Sequence, residues 1–558
     1  MALSKTSAQA LIICILWATC ASAAYIACPQ FAQPGGSHLA NGVNATVTFD
    51  YKIDNVAGAR FHVTPFHDGS PVAVGLGLIP PVLPAGSGTT SCSFQIASGF
   101  HEVDQIRIRM ADPASSATLL ELFIAIRYTF GEHGFSNIAV SHTPPSWLAH
   151  GEDLTVTFDY SSASVAGVRI FARAFTDGTQ TPGAVSSGSE LLPATGSGSQ
   201  WFRFAADADI THIRLRMTTP DQSLVLLDHF VPVDLRWRSD GVANIVVTPP
   251  SPENLALGTP VTVEFDYFTS DPEGCRVWTR GAVTAEALGF EGEILCPSEV
   301  LPAPGGHVTR CFYSNSVTVD LRYVVFDMCD HANFANLFRA RVPGDFRLSP
   351  NAMGAAAYTP RAPAVLTPNE PVTVDFDYTS AGPDEVRVYA IGSRYDEPAT
   401  DIIYTASPLL PPGAGHATRQ FFLTSAGSVR KVMFTMRTGP DNSTVVEEFT
   451  RDAHYMWGTT GIVTGAPLPG LAAARLGAPF PNPFNAHTTI PFSLAREGRV
   501  RLRVYDLRGH LVDTLLDRTL PAGAHEAPFT GPRLASGTYC VELRCDGQRE
   551  VRLMTMIK

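Results

Sequence analysis

The chain has 558 residues, 16% of them charged, with 46 glycines, 43 prolines and a formal net charge of −12. That length allows several domains, and a Gly/Pro-rich, charge-poor balance is that of strands bounded by tight turns. The acidic balance argues against a nucleic-acid partner, because nucleic acid selects for a basic face.

Residues 1–23 are predicted to be a secretory signal peptide. Lys5 supplies a positive start, Leu11 to Ala18 a short apolar core, and Ala21-Ser22-Ala23 a small-residue cleavage site. The core is shorter than the roughly 20 apolar residues of a membrane span. Cys20 raises the alternative of a lipoprotein signal, which Trp17 and Thr19 fit poorly. No later segment is long and apolar enough to span. The mature protein is expected to be soluble or attached to a membrane from outside.

Four copies of one phrase follow: Val47-Thr48-Phe49-Asp50-Tyr51, Val156-Thr157-Phe158-Asp159-Tyr160, Val263-Glu264-Phe265-Asp266-Tyr267 and Val374-Asp375-Phe376-Asp377-Tyr378. The tyrosines are spaced 109, 107 and 111 residues apart. Nine residues after each comes an arginine (Arg60, Arg169, Arg276, Arg387), and then a Leu-Pro turn at Leu83-Pro84, Leu192-Pro193, Leu301-Pro302 and Leu410-Pro411. Fixed offsets of this kind mark homologous units. Within each phrase apolar and polar residues alternate, the period-two signature of a half-buried strand. Ile106-Arg107-Ile108-Arg109-Met110 and Ile213-Arg214-Leu215-Arg216-Met217 repeat it, and no stretch carries helical periodicity over three turns. About seven short strands in about 107 residues predict an Ig- or fibronectin-III-like β-sandwich.

The predicted organisation is all-β. Sandwich repeats occupy 24–134, 135–241, 242–348 and 349–457. A Gly/Pro-rich linker follows at 458–472, and a small C-terminal β-sandwich at 473–558. The expected shape is a row of beads with a separate tail. From Arg475 onward 12 Arg/Lys stand against 8 Asp/Glu, so the tail is basic on an otherwise acidic chain.

Eight cysteines remain after the signal peptide, which suits an oxidising compartment. Cys28 and Cys92 are alone in the first repeat and form a candidate pair. Cys275, Cys296, Cys311 and Cys329 share the third, where three disulfide connectivities compete with free thiols and with a zinc site. Their gaps of 21, 15 and 18 residues lack the close pairs that structural zinc prefers. A disulfide closing such a loop contributes about 3 kcal/mol. Cys540 and Cys545 are too far apart along one extended strand to bridge without a sharp turn.

Catalytic signatures are missing: there is no H-E-x-x-H, G-x-S-x-G, G-x-x-x-x-G-K-[ST] or post-strand G-x-G-x-x-G. The Asp of each phrase, with Asp54, Asp271 and Asp384 nearby, offers hard oxygen ligands for calcium. The simpler reading is a solvated or turn-bonded carboxylate that pairs with the recurring Arg across the sheet. Trp147, Trp201, Trp237, Trp278 and Trp457 do not fall at equivalent repeat positions, and core packing is preferred to a sugar platform. His62, His67, His142 and His331 are scattered, and none is assigned to a metal. No catalytic residue and no cofactor is expected.

The tail opens with Pro481-Asn482-Pro483-Phe484-Asn485 and continues through Thr488-Thr489-Ile490-Pro491-Phe492. Val500 to Gly509 follows, including Tyr505-Asp506, then Pro521, Gly523, Gly537, Tyr539 and the terminal Lys558. Val500, Leu502 and Val504 alternate with Arg501 and Arg503. Thr538–Leu543 and Val551–Ile557 pair through the Asp546-Gly547 turn. This run resembles the type A C-terminal sorting domain of the bacterial type IX secretion system, close to the Ig-like domain of flagellar hook-capping proteins. Ala486-His487 after Asn485, and Cys540 where an aromatic is common, depart from that pattern.

The resemblance implies Sec export, then recognition by the type IX outer-membrane translocon, removal of the domain and frequent attachment to surface lipopolysaccharide. The expectation is therefore a secreted or cell-surface, non-enzymatic protein, an adhesin-like stalk or binding array for an unknown extracellular ligand. The alternative is a secreted hydrolase or carbohydrate-active protein with a loop-built site.

Overall fold

The computed structural model describes residues 24–55, 57–73, 81–176, 178–393, 401–439, 442–463, 474–476, 487–494, 498–506, 511–520, 523–530, 537–545 and 548–556. The signal peptide, the Pro481 to Asn485 run, Gly509, Pro521 and Lys558 lie outside them. Every regular element among the described residues is a strand, and none of them forms a helix long and apolar enough to cross a membrane.

The second repeat illustrates the unit. One sheet orders the strands Ala184–Ser186, Thr195–Phe204, Leu154–Ser162 and His133–Val140. The other orders Ser146–Ala149, Val225–Arg238, Ala208–Thr218, Arg169–Thr176 and Thr179–Gln180. All pairings are antiparallel except that of Ser146–Ala149, which runs parallel to Val225–Arg238. The alternation in the phrase does what period two requires: Val156, Phe158 and Tyr160 point into the core, and Thr157 and Asp159 point out. Phe202, Leu215 and Trp237 meet them from the facing strands. The chain is thus a tandem array of Ig-like β-sandwiches.

The Leu-Pro turn has a defined job. In all four repeats its leucine bridges to the residue before the recurring arginine: Ala59 to Leu83, Val168 to Leu192, Cys275 to Leu301 and Val386 to Leu410. Gly167 precedes one such bridge at φ +86°, and a Cβ there would lie 2.4 Å from the Leu192 carbonyl oxygen. Gly58 and Gly274 sit under the same constraint. The glycines after the turn make room for the tyrosine of the phrase. Tyr267 Oη donates to the Pro302 carbonyl at 2.9 Å and Tyr378 Oη to the Pro411 carbonyl at 3.3 Å.

The expected row of beads is corrected: the four sandwiches close on themselves. The first strand, Tyr25–Phe31, pairs antiparallel with Ala364–Leu366 of the fourth repeat. Sheets of repeats four and one merge into a single seven-stranded sheet. Thr460–Val463, expected as linker, instead runs parallel along Glu121 to Ile124 of the first repeat. The cores are correspondingly shared. Ala27 of repeat one sits in the core of repeat four, Val365 of repeat four in that of repeat one, and Trp147 of repeat two in that of repeat three. In each repeat a short strand runs parallel (Ser37–Ala40, Ser146–Ala149, Glu253–Ala256, Ala364–Leu366) and turns a residue towards the next repeat; where that residue is apolar, as at Trp147 and Val365, burying it there removes its surface from water.

The tail packs as a separate unit. A three-stranded sheet (Ala474–Leu476, His487–Leu494, Gly523–Thr530) and a four-stranded sheet (Leu511–Leu520, Gly498–Asp506, Gly537–Cys545, Gln548–Met556) enclose Val500, Leu502, Val504, Val541 and Met554.

Candidate functional site

The four joints between repeats are built from equivalent positions with different chemistry. One residue of each short parallel strand, His38, Trp147, Asn254 or Val365, faces the next repeat. At the second joint Trp147 packs edge-on against Phe338, centroids 5.5 Å apart. At the third, the buried Glu447 carboxylate accepts from Arg347 Nε (2.5 Å), Ser349 Oγ (2.5 Å) and Asn254 Nδ2 (3.4 Å). At the closing joint Val365 and Leu120, both fully buried, belong to one apolar core. At the first, His38, His133 and the buried His229 converge. Burial, and then the neighbouring His38, push His229 down to about 4. His38 is held below the ordinary imidazole value by burial and by His133, and His133 by burial. Gly134 lies so close to the short parallel strand of repeat one that a Cβ would fall 2.1 Å from the Ala40 nitrogen.

The aspartates of the phrase are bonded to their neighbours. Asp159 accepts from Ser197 Oγ (2.5 Å) and Asn137 Nδ2 (2.6 Å), and these hydrogen bonds hold its carboxyl below the usual range. Asp266 accepts from Asn244 Nδ2 at 2.7 Å and pairs with His307 Nδ1 at 2.8 Å. Asn137 and Asn244 stand at left-handed bulge positions (φ 50° and 51°), where Cys28 and Ala355 stand in repeats one and four. Asp377 takes His416 at 2.9 Å. Asp50 takes Thr89 at 2.7 Å and Arg361 Nη2, from repeat four, at 2.8 Å.

The expected Asp–Arg pairing within the sheet does not form in repeats two to four. Arg169 and Arg276 donate to the carbonyls of Ser189 and Ser298, and Arg387 to that of Ser407 at 2.8 Å. The seryl hydroxyls accept in turn from Ile170, Val277 and Val388 N–H. The arginine clamps the loop before the Leu-Pro turn, a role only the fold reveals. Asp271 gathers with Asp330 and His331 rather than with Asp266.

Of the candidate cysteines, Cys296 and Cys311 are bonded, Cα atoms 5.2 Å apart, Cys296 directly after the strand Glu293–Leu295 and Cys311 on the strand Gly305–Ser314 that pairs with it. Cys28 and Cys92 are not, and Cys275 and Cys329 are free and buried. Cys28 occupies the bulge of the first strand, while Cys92 Sγ lies 3.8 Å from the Phe61 carbonyl, and burial raises the Cys92 thiol to about 11. Cys540 and Cys545 lie on one strand, Gly537–Cys545.

Trp237 and Trp457, contrary to expectation, are equivalent. They pair with Leu148 and Leu366, and their Nε1–H groups donate to the Glu152 and Glu370 carbonyls at 3.0 and 2.9 Å. A two-residue difference in repeat length hid this. Both are buried core residues.

One surface feature does recur. The residue before each Leu-Pro turn is an exposed aliphatic: Val82 (41%), Leu191 (54%), Val300 (39%) and Leu409 (48%). Val185, Ile294 and Ile403 add an equivalent exposed residue on a three-residue edge strand in repeats two to four.

In the tail, Tyr539 is buried and pairs in register with Asp506. Tyr505 Oη lies 3.4 Å from Glu542 Oε1, which Arg544 Nε also reaches at 2.8 Å. Gly523 and Gly537 start strands.

No protein-family model matches the sequence, and no curated protein matches it. Solved structures that align include trypsin-activated α2-macroglobulin from Escherichia coli, at 11% identity over 95% of this chain and 42% of that one, TM-score 0.21. Titin domains I67–I69 align at 12% identity over 58% of this chain and 99% of that one, TM-score 0.14. The ICAM-5 D1–D4 fragment aligns at 13% identity over 77% and 99%, TM-score 0.15. This chain spans less than half of the α2-macroglobulin chain, and scores this low say nothing about activity or partners.

Proposed function

We propose that this protein is a secreted, non-enzymatic binding array: one closed body of four sandwiches that presents the same surface feature four times, routed outward by its C-terminal unit. The observation that carries the array is the recurrence of an exposed aliphatic residue at Val82, Leu191, Val300 and Leu409. Four weak contacts on one rigid body bind a repetitive surface with an avidity that none has alone. Closure favours such a platform over an extended stalk, since the first and fourth repeats share a sheet.

The tail motifs support the route. A basic unit with its own core, resembling type IX sorting domains, is suited to recognition by the outer-membrane translocon and to attachment at surface lipopolysaccharide. Fusing residues 473–558 to a periplasmic reporter in a type IX host tests this: the reporter is expected at the surface or in the medium, and retention in the periplasm refutes the route. Changing Val82, Leu191, Val300 and Leu409 together to Ser tests the array. Cell adhesion is expected to fall, and unchanged adhesion of a correctly exported variant refutes it.

A further inference from the structure

The first repeat carries a side-chain cluster that its sister repeats replace. His67 ends the strand Arg60–His67, and Asp68 follows at φ 47°. Glu102 and Asp104 stand two apart on the strand His101–Ala111, whose register slips between Val103 and Gln105. A bulge of this kind re-aims a side chain, here Asp104. His67 Nδ1 lies 3.4 Å from Asp104 Oδ2, and Nε2 lies 3.6 Å from Asp68 Oδ2 and 4.0 Å from Glu102 Oε2. The ligand atoms of His67, Asp68 and Asp104 are all within 4.8 Å of one another. His67 Nδ1 is buried and has no hydrogen-bond partner. The Asp68 N–H donates to Asp104 Oδ2 at 2.8 Å and orients that carboxylate. A cleft of about 550 Å³, lined by His67, Ser70, Val72, Phe100, His101 and Glu102, opens beside the group.

The sister repeats show what is different. Asp209 and Asp320 occupy the place of Glu102, and each is neutralised from the neighbouring strand, by Arg238 at 2.6 Å and by Arg347 at 2.9 Å. Opposite Glu102 stands Thr129 instead of an arginine. The bulge position held by Asp104 carries Thr211, Arg322 and Arg430 in the other repeats. Among the described residues, His67 is the only basic side chain within ion-pair distance of Asp68, Glu102 or Asp104. Three carboxylates thus converge on one imidazole, with the arginines of the other repeats absent.

We infer that His67, Asp68 and Asp104, with Glu102 in reach, form a binding site for a divalent transition cation of the zinc type. A tetrahedral ion with bonds of about 2.0–2.1 Å to nitrogen and oxygen separates its ligands by about 3.3 Å. The 3.4 Å between His67 Nδ1 and Asp104 Oδ2 matches that spacing, and Asp68 brings a ligand atom within 4.8 Å of those of His67 and Asp104. One imidazole nitrogen among carboxylates selects zinc-like ions over calcium, which takes six to eight oxygens. The cleft leaves a coordination position accessible from solvent.

The test is calorimetric titration of chelator-treated, full-length protein with zinc chloride and, separately, calcium chloride. His67→Ala, Asp104→Asn and, as a control at the other acidic cluster, His331→Ala are titrated alongside, with circular dichroism confirming that each is folded. Zinc binding is expected to weaken at least about tenfold in the first two variants and to be unchanged in the third. No zinc binding by the wild type, or zinc binding that is indifferent to His67→Ala and Asp104→Asn, overturns the inference. So does a preference for calcium.

Discussion

Lys52 of the first repeat places its Nζ 2.9 Å from each carboxylate oxygen of Glu370, in the fourth. Glu370 is almost fully buried, with its side chain 6% exposed, whereas Lys52 keeps 36%. Burial pulls the Glu370 carboxyl upward and Lys52 pulls it back. Removing the lysine therefore strands a buried charge at the closing joint. Lys52→Ala is expected to cost about 1–3 kcal/mol in urea unfolding, and adding Glu370→Gln to recover part of it, because a neutral amide is cheaper to bury. A double variant no more stable than Lys52→Ala alone contradicts this account.

The first joint should respond to acid. His229 is depressed from 6.5 to about 4, so the unfolded chain binds the proton first as pH falls. Its contribution is complete above 6.5 and is lost progressively as pH drops towards 4. Between pH 7.5 and 4.5 the loss is roughly 2–3 kcal/mol. His229→Leu, which installs the residue that repeat one carries as Leu122, should flatten the stability profile in that window. Chemical denaturation of both proteins across the pH range measures it. Identical slopes would remove His229 from the account.

Peptide mapping under non-reducing conditions should find Cys296 bridged to Cys311, and Cys28, Cys92, Cys275 and Cys329 unbridged. Cys311→Ser is expected to destabilise the third repeat by about 3 kcal/mol, the value for a 15-residue loop. Cys28 and Cys92 should resist alkylation until the protein is unfolded, Cys28 because it is buried and Cys92 because burial raises its thiol pKa. A Cys28–Cys92 crosslink in the native protein would contradict the arrangement of the first strand.

Gly274 tests the Leu-Pro bridge. Its φ is +89°, and a Cβ would fall 2.3 Å from the Leu301 carbonyl oxygen. Gly274→Ala should lower stability by about 1–3 kcal/mol. Gly292→Ala is a poor control, since Val317 crowds it. Gly151, at φ +82° with open space around it, separates conformational strain from the clash.

What could be read from the sequence was what local chemistry decides. The alternation in Val156 to Tyr160 set a buried face, and the repeated Leu-Pro phrase marked a turn with the same bridge four times. The partner of the recurring arginine was not legible, because Arg387 bonds a serine carbonyl 20 residues away across a loop whose path depends on the whole sandwich. The equivalence of Trp237 and Trp457 was hidden by unequal loop lengths. Closure was hidden for a deeper reason. Ala27 and Val365 read as ordinary strand residues within their own repeats, and nothing local says that their neighbours belong to the other end of the array. The cluster at His67 was missed because two of its carboxylates, Glu102 and Asp104, lie more than thirty positions downstream of the imidazole, and a bulge aims the second of them.

Ala24 donates its N–H to Thr367 Oγ1 at 2.9 Å, across 343 residues of sequence. A polypeptide delivered amino end first must hold that opening strand without its mate until the last sandwich has arrived. Any product cut short before residue 364 keeps a raw strand edge on display, open to degradation or to pairing with another molecule. Closure of the four repeats is thereby a check that translation has passed through the fourth of them.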